Sequence, residues 1–288
     1  MKKIFKVVIL TLVFVSLIIG TLCLLLSKHV VVLNPKGIIG IQEKQLILFA
    51  TGIMMIVVIP VFVFMLVFAW RYRESNKKAK YSPDWAHDHL AEILWWGIPC
   101  VIIVALAIVT WKTSHDLDPY RPIASEEKPL KIQVVALQWK WLFIYPEQGI
   151  ATVNFVRFPE RTPIAFEITA DAPMNSFWIP QLGSQIYAMP AMVSQLHLMA
   201  EESGDFRGAS SNLSGDGFAG MFFTATATSI QEFNSWVQSV RQSGQAMDLN
   251  RYKQLVKPTS YVPESAYVLK SQKLFDYIVM QYKAPPAK

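Results

Sequence analysis

Gln45–Trp70, QLILFATGIMMIVVIPVFVFMLVFAW, runs through a whole membrane thickness without an Asp, Glu, Lys or Arg. A helix needs about 20 apolar residues to cross a hydrocarbon core of roughly 30 Å, so this stretch spans with tilt to spare. Trp70 and Tyr72 close it as interfacial anchors, and Pro60 inside it predicts a kink that neighbouring helices offset. Working outward, Ile93–Trp111 is a second charge-free stretch, opened by Trp95 and Trp96 and closed by Trp111. The loop between them, residues 71–92, carries Arg71, Arg73, Lys77, Lys78 and Lys80, whereas residues 24–44 carry Lys28, Lys36 and Lys44. The positive-inside bias makes this loop cytoplasmic, so the two spans (45–70 and 93–111) form a hairpin and the chain from Lys112 onward emerges outside.

Upstream, Lys2, Lys3 and Lys6 precede the apolar run Val7–Leu22, the layout of an export leader over residues 1–23. Cys23 follows Gly20, Thr21 and Leu22, where a lipoprotein leader places its acylated cysteine, although Leu22 is bulkier than the residue usual there. The same stretch is long enough to be an uncleaved extra transmembrane helix, and both readings stand. Either one leaves residues 24–44 as an extracytoplasmic segment.

Apolar side chains make up 52% of the chain, more than an ordinary soluble protein carries. The net charge of +6 divides unevenly: residues 1–120 hold 12 Lys/Arg and 7 Asp/Glu, residues 121–288 hold 15 and 14. The basicity thus belongs to the membrane flanks, which argues against a nucleic-acid partner. Cys23 and Cys100 are the two cysteines, both in apolar segments. The distal domain therefore has no disulfide, thiolate metal site or covalent haem attachment.

After Lys112 the pattern turns to strands. Ile132–Leu137, Ile150–Val156, Pro163–Ala170, Val193–Ala200 and Gly220–Ala227 are short, rich in β-branched or aromatic residues and separated by turn formers, which predicts a sandwich or Greek-key barrel. Ile164, Phe166 and Ile168 alternate with Ala165, Glu167 and Thr169, the period of a strand with one buried face. Ser229 and Glu232 fit a capping box, followed by the stripe Ile230, Phe233, Trp236, Val237 and Val240. A second helix is expected around Leu249–Val256, and the Pro-containing tail carries no decisive pattern.

Three stretches narrow the reading: Gln138–Tyr145 (QWKWLFIY), Asn175–Gly183 (NSFWIPQLG) and Ser210–Met221 (SSNLSGDGFAGM). In order and in residues they resemble the signature regions of cytochrome oxidase subunit II, a likeness running from about Asn34 to Tyr261. It implies an α+β membrane protein: a two-helix transmembrane hairpin, a cupredoxin-like Greek-key β-sandwich over 112–228 and C-terminal helices over 229–288. Copper-bearing members read Cys-x-Glu-x-Cys, three residues, His, two residues and Met, with a second His from the middle stretch. On this chain the thiolate positions are Ser210 and Ser214, the Glu is Asn212, the two His are Phe218 and Asn175, and Met221 alone survives. A binuclear copper centre needs bridging thiolates and imidazoles; a hydroxyl is a hard, poor copper ligand and a phenyl ring is none.

That departure is itself the pattern of the quinol-oxidase branch. Phe143–Asn154 and Pro180–Met189 resemble its ubiquinol-oxidising, bo-type members rather than the menaquinol-oxidising ones. The resemblance implies a subunit without a complete active site and without cofactors of its own, in a proton-translocating ubiquinol oxidase of the bacterial inner membrane. Haems and copper are then expected in the large subunit I, with smaller membrane subunits alongside, ubiquinol as donor, and the distal domain in the periplasm. Trp139 and Trp141, whose counterparts relay electrons from copper, become packing residues at the contact with the large subunit. Met221 is read as a core residue and His197 as a structural one. Glu92 resembles in position a subunit II glutamate at the mouth of a proton channel, with His87 and His89 nearby as loop residues or proton gatherers. Two rivals remain: a copper-bearing cytochrome c oxidase subunit, and a lone membrane-tethered binding or copper-delivery domain, against which the scattered His115, His197 and methionines speak.

Overall fold

The computed structural model describes residues 30–80 and 87–283, with Ser16, Gly20 and Ser82 besides. Apart from Ser16 and Gly20, residues 1–23, where a leader or an extra span is expected, lie outside the described residues, Cys23 among them. Two compact units emerge, one formed by the residues up to Lys44 together with those from Pro119 onward, the other by Gln45–Asp118.

In the second unit, the charge-free stretches become the long helices α1 (Ile38–Arg71) and α2 (His89–Asp116), each extending beyond its apolar run. α1 continues through Pro60. Both are apolar enough to cross a membrane, and their hydrophobic windows are wholly unburied by protein. A helix greasy all round and uncovered by its own chain has lipid or other subunits as its solvent. The first turns of α1 belong to the other unit: Lys36 and Gly37 N–H donate to Gln181 O, Ile38 N–H to Met199 O and Gly40 N–H to Leu182 O.

Among the described residues, that other unit holds twelve strands: β1 (Leu130–Leu137), β2 (Lys140–Tyr145), β3 (Ile150–Val153), β4 (Phe155–Pro159), β5 (Ile164–Ala170), β6 (Asn175–Trp178), β7 (Ile186–Ala188), β8 (Ser194–Leu198), β9 (Gly204–Ser210), β10 (Phe222–Thr228), β11 (Ala246–Met247) and β12 (Ser265–Leu269). They form a seven-stranded sheet, β11-β12-β3-β2-β1-β5-β8, and a five-stranded one, β4-β10-β9-β6-β7. Between the sheets lies a core including Ile132, Trp141, Phe143, Ile164, Phe166, Ile168, Phe177, Phe223 and Ala225. Alternation explains β5 and β10, which each turn one face inward. The expected strand Ile150–Val156 is instead two, broken at Asn154, whose φ of 58° turns the chain from one sheet to the other.

β2 escaped the sequence reading because it is buried on both faces. Trp141, Phe143 and Tyr145 enter the core between the sheets, while Leu142 and Ile144 enter a second core with Val135, Leu137, Tyr252, Tyr267, Phe275 and Ile278. C-terminal residues cover this second core: the helices expected over 229–288 are present, and two short strands lie among them. Helices α3 (Ile230–Gln242), α4 (Leu249–Leu255) and α5 (Leu274–Met280) are joined by β11 and β12, and β12 extends the large sheet by pairing antiparallel with β3. A strand edge with unpaired backbone groups next to an apolar face recruits a strand as readily as a helix.

The capping box at Ser229 is present in both directions, and Asp248 caps α4 through the Arg251 N–H.

Candidate functional site

β6 ends the turn from β5 and delivers Asn175; β9 delivers Ser210; the loop 211–221 returns to β10 across the same end of the sandwich. Strand pairing fixes these segments side by side, with Phe177 opposite Ser210. The Ser210 hydroxyl donates to Asn175 Oδ1 at 3.0 Å and lies 3.2 Å from Asn212 O. Ser214 Oγ lies 3.9 Å from Met221 Sδ. Asn175 Nδ2 donates to Pro173 O at 2.7 Å. Asn175, Ser210 and Met221 are buried. Ligand positions 46 residues apart at their extremes, Asn175 and Met221, thus fall into one cluster, and its remaining bonds are hydroxyl, amide and thioether contacts.

This donor set does not fit a copper centre: it offers neither thiolate nor imidazole, and neutral hydroxyl and amide oxygens are hard donors. Among the described residues, no group of three or more His, Cys, Asp or Glu side chains comes together to hold a metal. The cluster is closed by Trp139, held at φ 64°, whose indole N–H donates to Ser214 O at 3.0 Å. Its ring lies against Gly217 so closely that a Cβ there would overlap it.

The comparisons with known proteins agree with this geometry. Residues 147–228 match the family described as cytochrome c oxidase subunit II, periplasmic domain, and residues 241–285 the COX aromatic rich motif. Cytochrome bo(3) ubiquinol oxidase subunit 2 of Pseudomonas aeruginosa is 54% identical over 87% of this chain and 76% of its own length. Ubiquinol oxidase subunit 2 of Acetobacter aceti is 50% identical over 87% of this chain and 82% of that protein. The chain belongs to the ubiquinol oxidase subunit 2 family. Among solved structures, the periplasmic domain of subunit II of cytochrome oxidase from Bradyrhizobium japonicum is 24% identical with a TM-score of 0.39, over 42% of this chain and 98% of that one.

In this chain, the expected roles of the two tryptophans separate. Trp141 has no exposed surface and packs edge-on against Phe177 and Phe223, with ring centroids 5.4 and 5.7 Å away. It is a core residue and not a subunit contact, because the alternation of β2 points it between the sheets. Among the described residues its indole N–H finds no acceptor. Trp139, half-buried, keeps part of its surface free. His197, nearly buried on the face of β8 opposite Leu196 and Leu198, has its Nδ1 2.9 Å from Pro119 O, a structural contact.

At the other candidate site, Asp88 caps α2 by accepting the Ala91 N–H, and Glu92 stands in the first turn. Its carboxylate lies 3.3 Å from His87 Nδ1 and 3.9 Å from His89 Nδ1. The side chain is 37% exposed, open to water and to two imidazoles at once.

One residue the sequence reading missed is Lys140. Its side chain is wholly buried, on the face of β2 shared by Leu142 and Ile144. Its ammonium donates to Leu255 O and Lys257 O, each at 2.8 Å, and to Thr259 Oγ1. Burial lowers its pKa to about 8. A lysine in register with buried apolar residues was the available signal.

Proposed function

We propose that this chain is the copper-free second subunit of a membrane-bound ubiquinol oxidase, a haem-copper enzyme whose redox centres lie in the large subunit. The carrying observation is the cluster of Asn175, Ser210, Ser214 and Met221: the scaffold of a metal site with its thiolates and imidazoles replaced by a hydrogen-bonded plug. A domain built this way has no station for electrons from a water-soluble cytochrome. Reducing equivalents enter the complex from quinol in the lipid, and this chain binds no cofactor.

What remains for its own residues is anchoring, docking and proton supply. In this reading α1 and α2 fix the subunit in the inner membrane with the sandwich on the periplasmic side, as the basic loop 71–80 supports. The uncovered apolar surfaces of both helices and the free part of Trp139 meet the large subunit and its smaller companions. Glu92, with His87 and His89 beside it, takes protons from cytoplasmic water and passes them inward. Mass spectrometry of the mature N-terminus distinguishes an acylated Cys23 from an uncleaved first span.

The test is redox and metal analysis of the oxidase purified through this chain. Quinol should reduce the complex, soluble cytochrome c should not, and the copper content should equal that of the large subunit alone. Two further coppers bound to this chain would overturn the reading.

A further inference from the structure

The aromatic-rich C-terminal segment does more than cover the second core: from it, Tyr261 reaches the loop 211–221 at Gly220, and Tyr252 and Tyr282 reach Asp171 in the loop before Asn175. Leu255, Lys257 and Thr259 surround the buried Lys140 ammonium with three oxygens. Val262 O accepts from Asn154 Nδ2 at 2.7 Å, and Asn154 Oδ1 accepts the Trp141 N–H. The strap 255–262 is thereby fixed at both ends to β2 and the turn after β3. Between the anchors, Tyr261 sits at φ 55° and lays its ring over Gly220, where a Cβ would meet three ring carbons at 3.1 Å. Gly220 immediately precedes Met221. On the other side of the cluster, the Asp171 carboxylate accepts hydrogen bonds from both Tyr252 and Tyr282, four residues before Asn175.

A bridging metal bonded to residues of both loops would cross-link them covalently. The loop 211–221 is held on one side by Trp139, through Ser214 O and Gly217, and by the Ser211 N–H on Ser176 O; its own regular structure is a single turn, Phe218–Gly220, and Leu213 is 79% exposed. A polar, exposed loop of that length opens locally at low cost unless something outside it holds it. Besides Trp139, Tyr261 supplies such a hold at Gly220 from the C-terminal segment.

We propose that the C-terminal segment is an intramolecular clamp that fixes the loops 171–175 and 211–221 in the arrangement a bridging metal would otherwise impose. Tyr261 holds the 211–221 loop, the Asp171 pair holds the other, and Lys140 anchors the strap. The comparison with a metal rests on the copper-free reading above; the clamp itself does not.

Hydrogen exchange followed by mass spectrometry on the assembled oxidase tests it. Tyr261→Asn removes the ring while tolerating the left-handed backbone, and the side chain is 67% exposed, so the fold survives. The amides of Phe218, Gly220 and Met221, bonded within their own turn, should exchange roughly tenfold faster while β1 stays at its original rate. Tyr252→Phe with Tyr282→Phe should do the same for 171–176. Exchange that rises only within 245–283, with both loops unchanged, overturns the clamp and leaves the segment a mere cover. If the double variant fails to assemble, Tyr261→Asn decides alone. Copper measured in the same samples tests the copper-free reading separately: copper on this chain would defeat that reading while leaving the exchange result interpretable.

Discussion

Glu92→Gln keeps the size and hydrogen-bonding reach of the side chain but ends its proton exchange with His87 and His89. Oxygen consumption by the assembled oxidase should fall several-fold with haem content unchanged, the size of effect a lost proton relay produces; unchanged turnover would dispose of the proton-supply role. Lys140 makes a prediction of opposite character, because its cost lies in being charged. Its folded pKa, about 8, lies below that of a free lysine, so between those values the unfolded chain binds the extra proton and stability rises with pH. Tyr282, pushed up to about 12 by burial and by Asp171, loses stability only above the ordinary tyrosine range. From about pH 8 to 9.5, thermal unfolding of the original complex should therefore gain relative to a Lys140→Met variant. A flat difference across that window would show that the ammonium is not desolvated.

Among the elements, α3 stands out as the one whose start is written in the sequence and reproduced bond for bond. Ser229 Oγ accepts the Glu232 N–H at 3.2 Å and the Glu232 carboxylate accepts the Ser229 N–H at 3.1 Å. Ser229→Ala should cost about 1 kcal/mol, read from a denaturant midpoint, with oxygen turnover unaffected. β2 shows the opposite limit. Period-two alternation signals a strand with one dry face, and KWLFIY has two, so its apolar run was legible only as an aromatic cluster. β12 and α5 were unreadable for a related reason: their cover is needed on the outer face of β2 and β3, more than 100 residues earlier in the chain.

For the whole molecule, the former metal site offers the strictest test of how well the sandwich preserves its geometry. Asn175→His, Ser210→Cys, Asn212→Glu, Ser214→Cys and Phe218→His together return the soft donors to positions the sheets already hold together. The five-fold variant should bind copper and show thiolate-to-copper absorption, whereas the original chain should not; failure to bind would mean that the loops have drifted from ligand geometry. By itself the sequence determined the two membrane-length helices, their charge bias, the β character of the distal domain and the loss of every thiolate and imidazole from the copper pattern. Those properties are carried by composition, local period and short spacing, which survive in one dimension. Only the tertiary structure decided that Trp141 is core, that Lys140 is buried under three oxygens, and that the C-terminal segment closes the large sheet and reaches back to the former ligand loops. Each of these depends on which face of a doubly buried strand meets which distant segment, a matter of long-range pairing that no local pattern records.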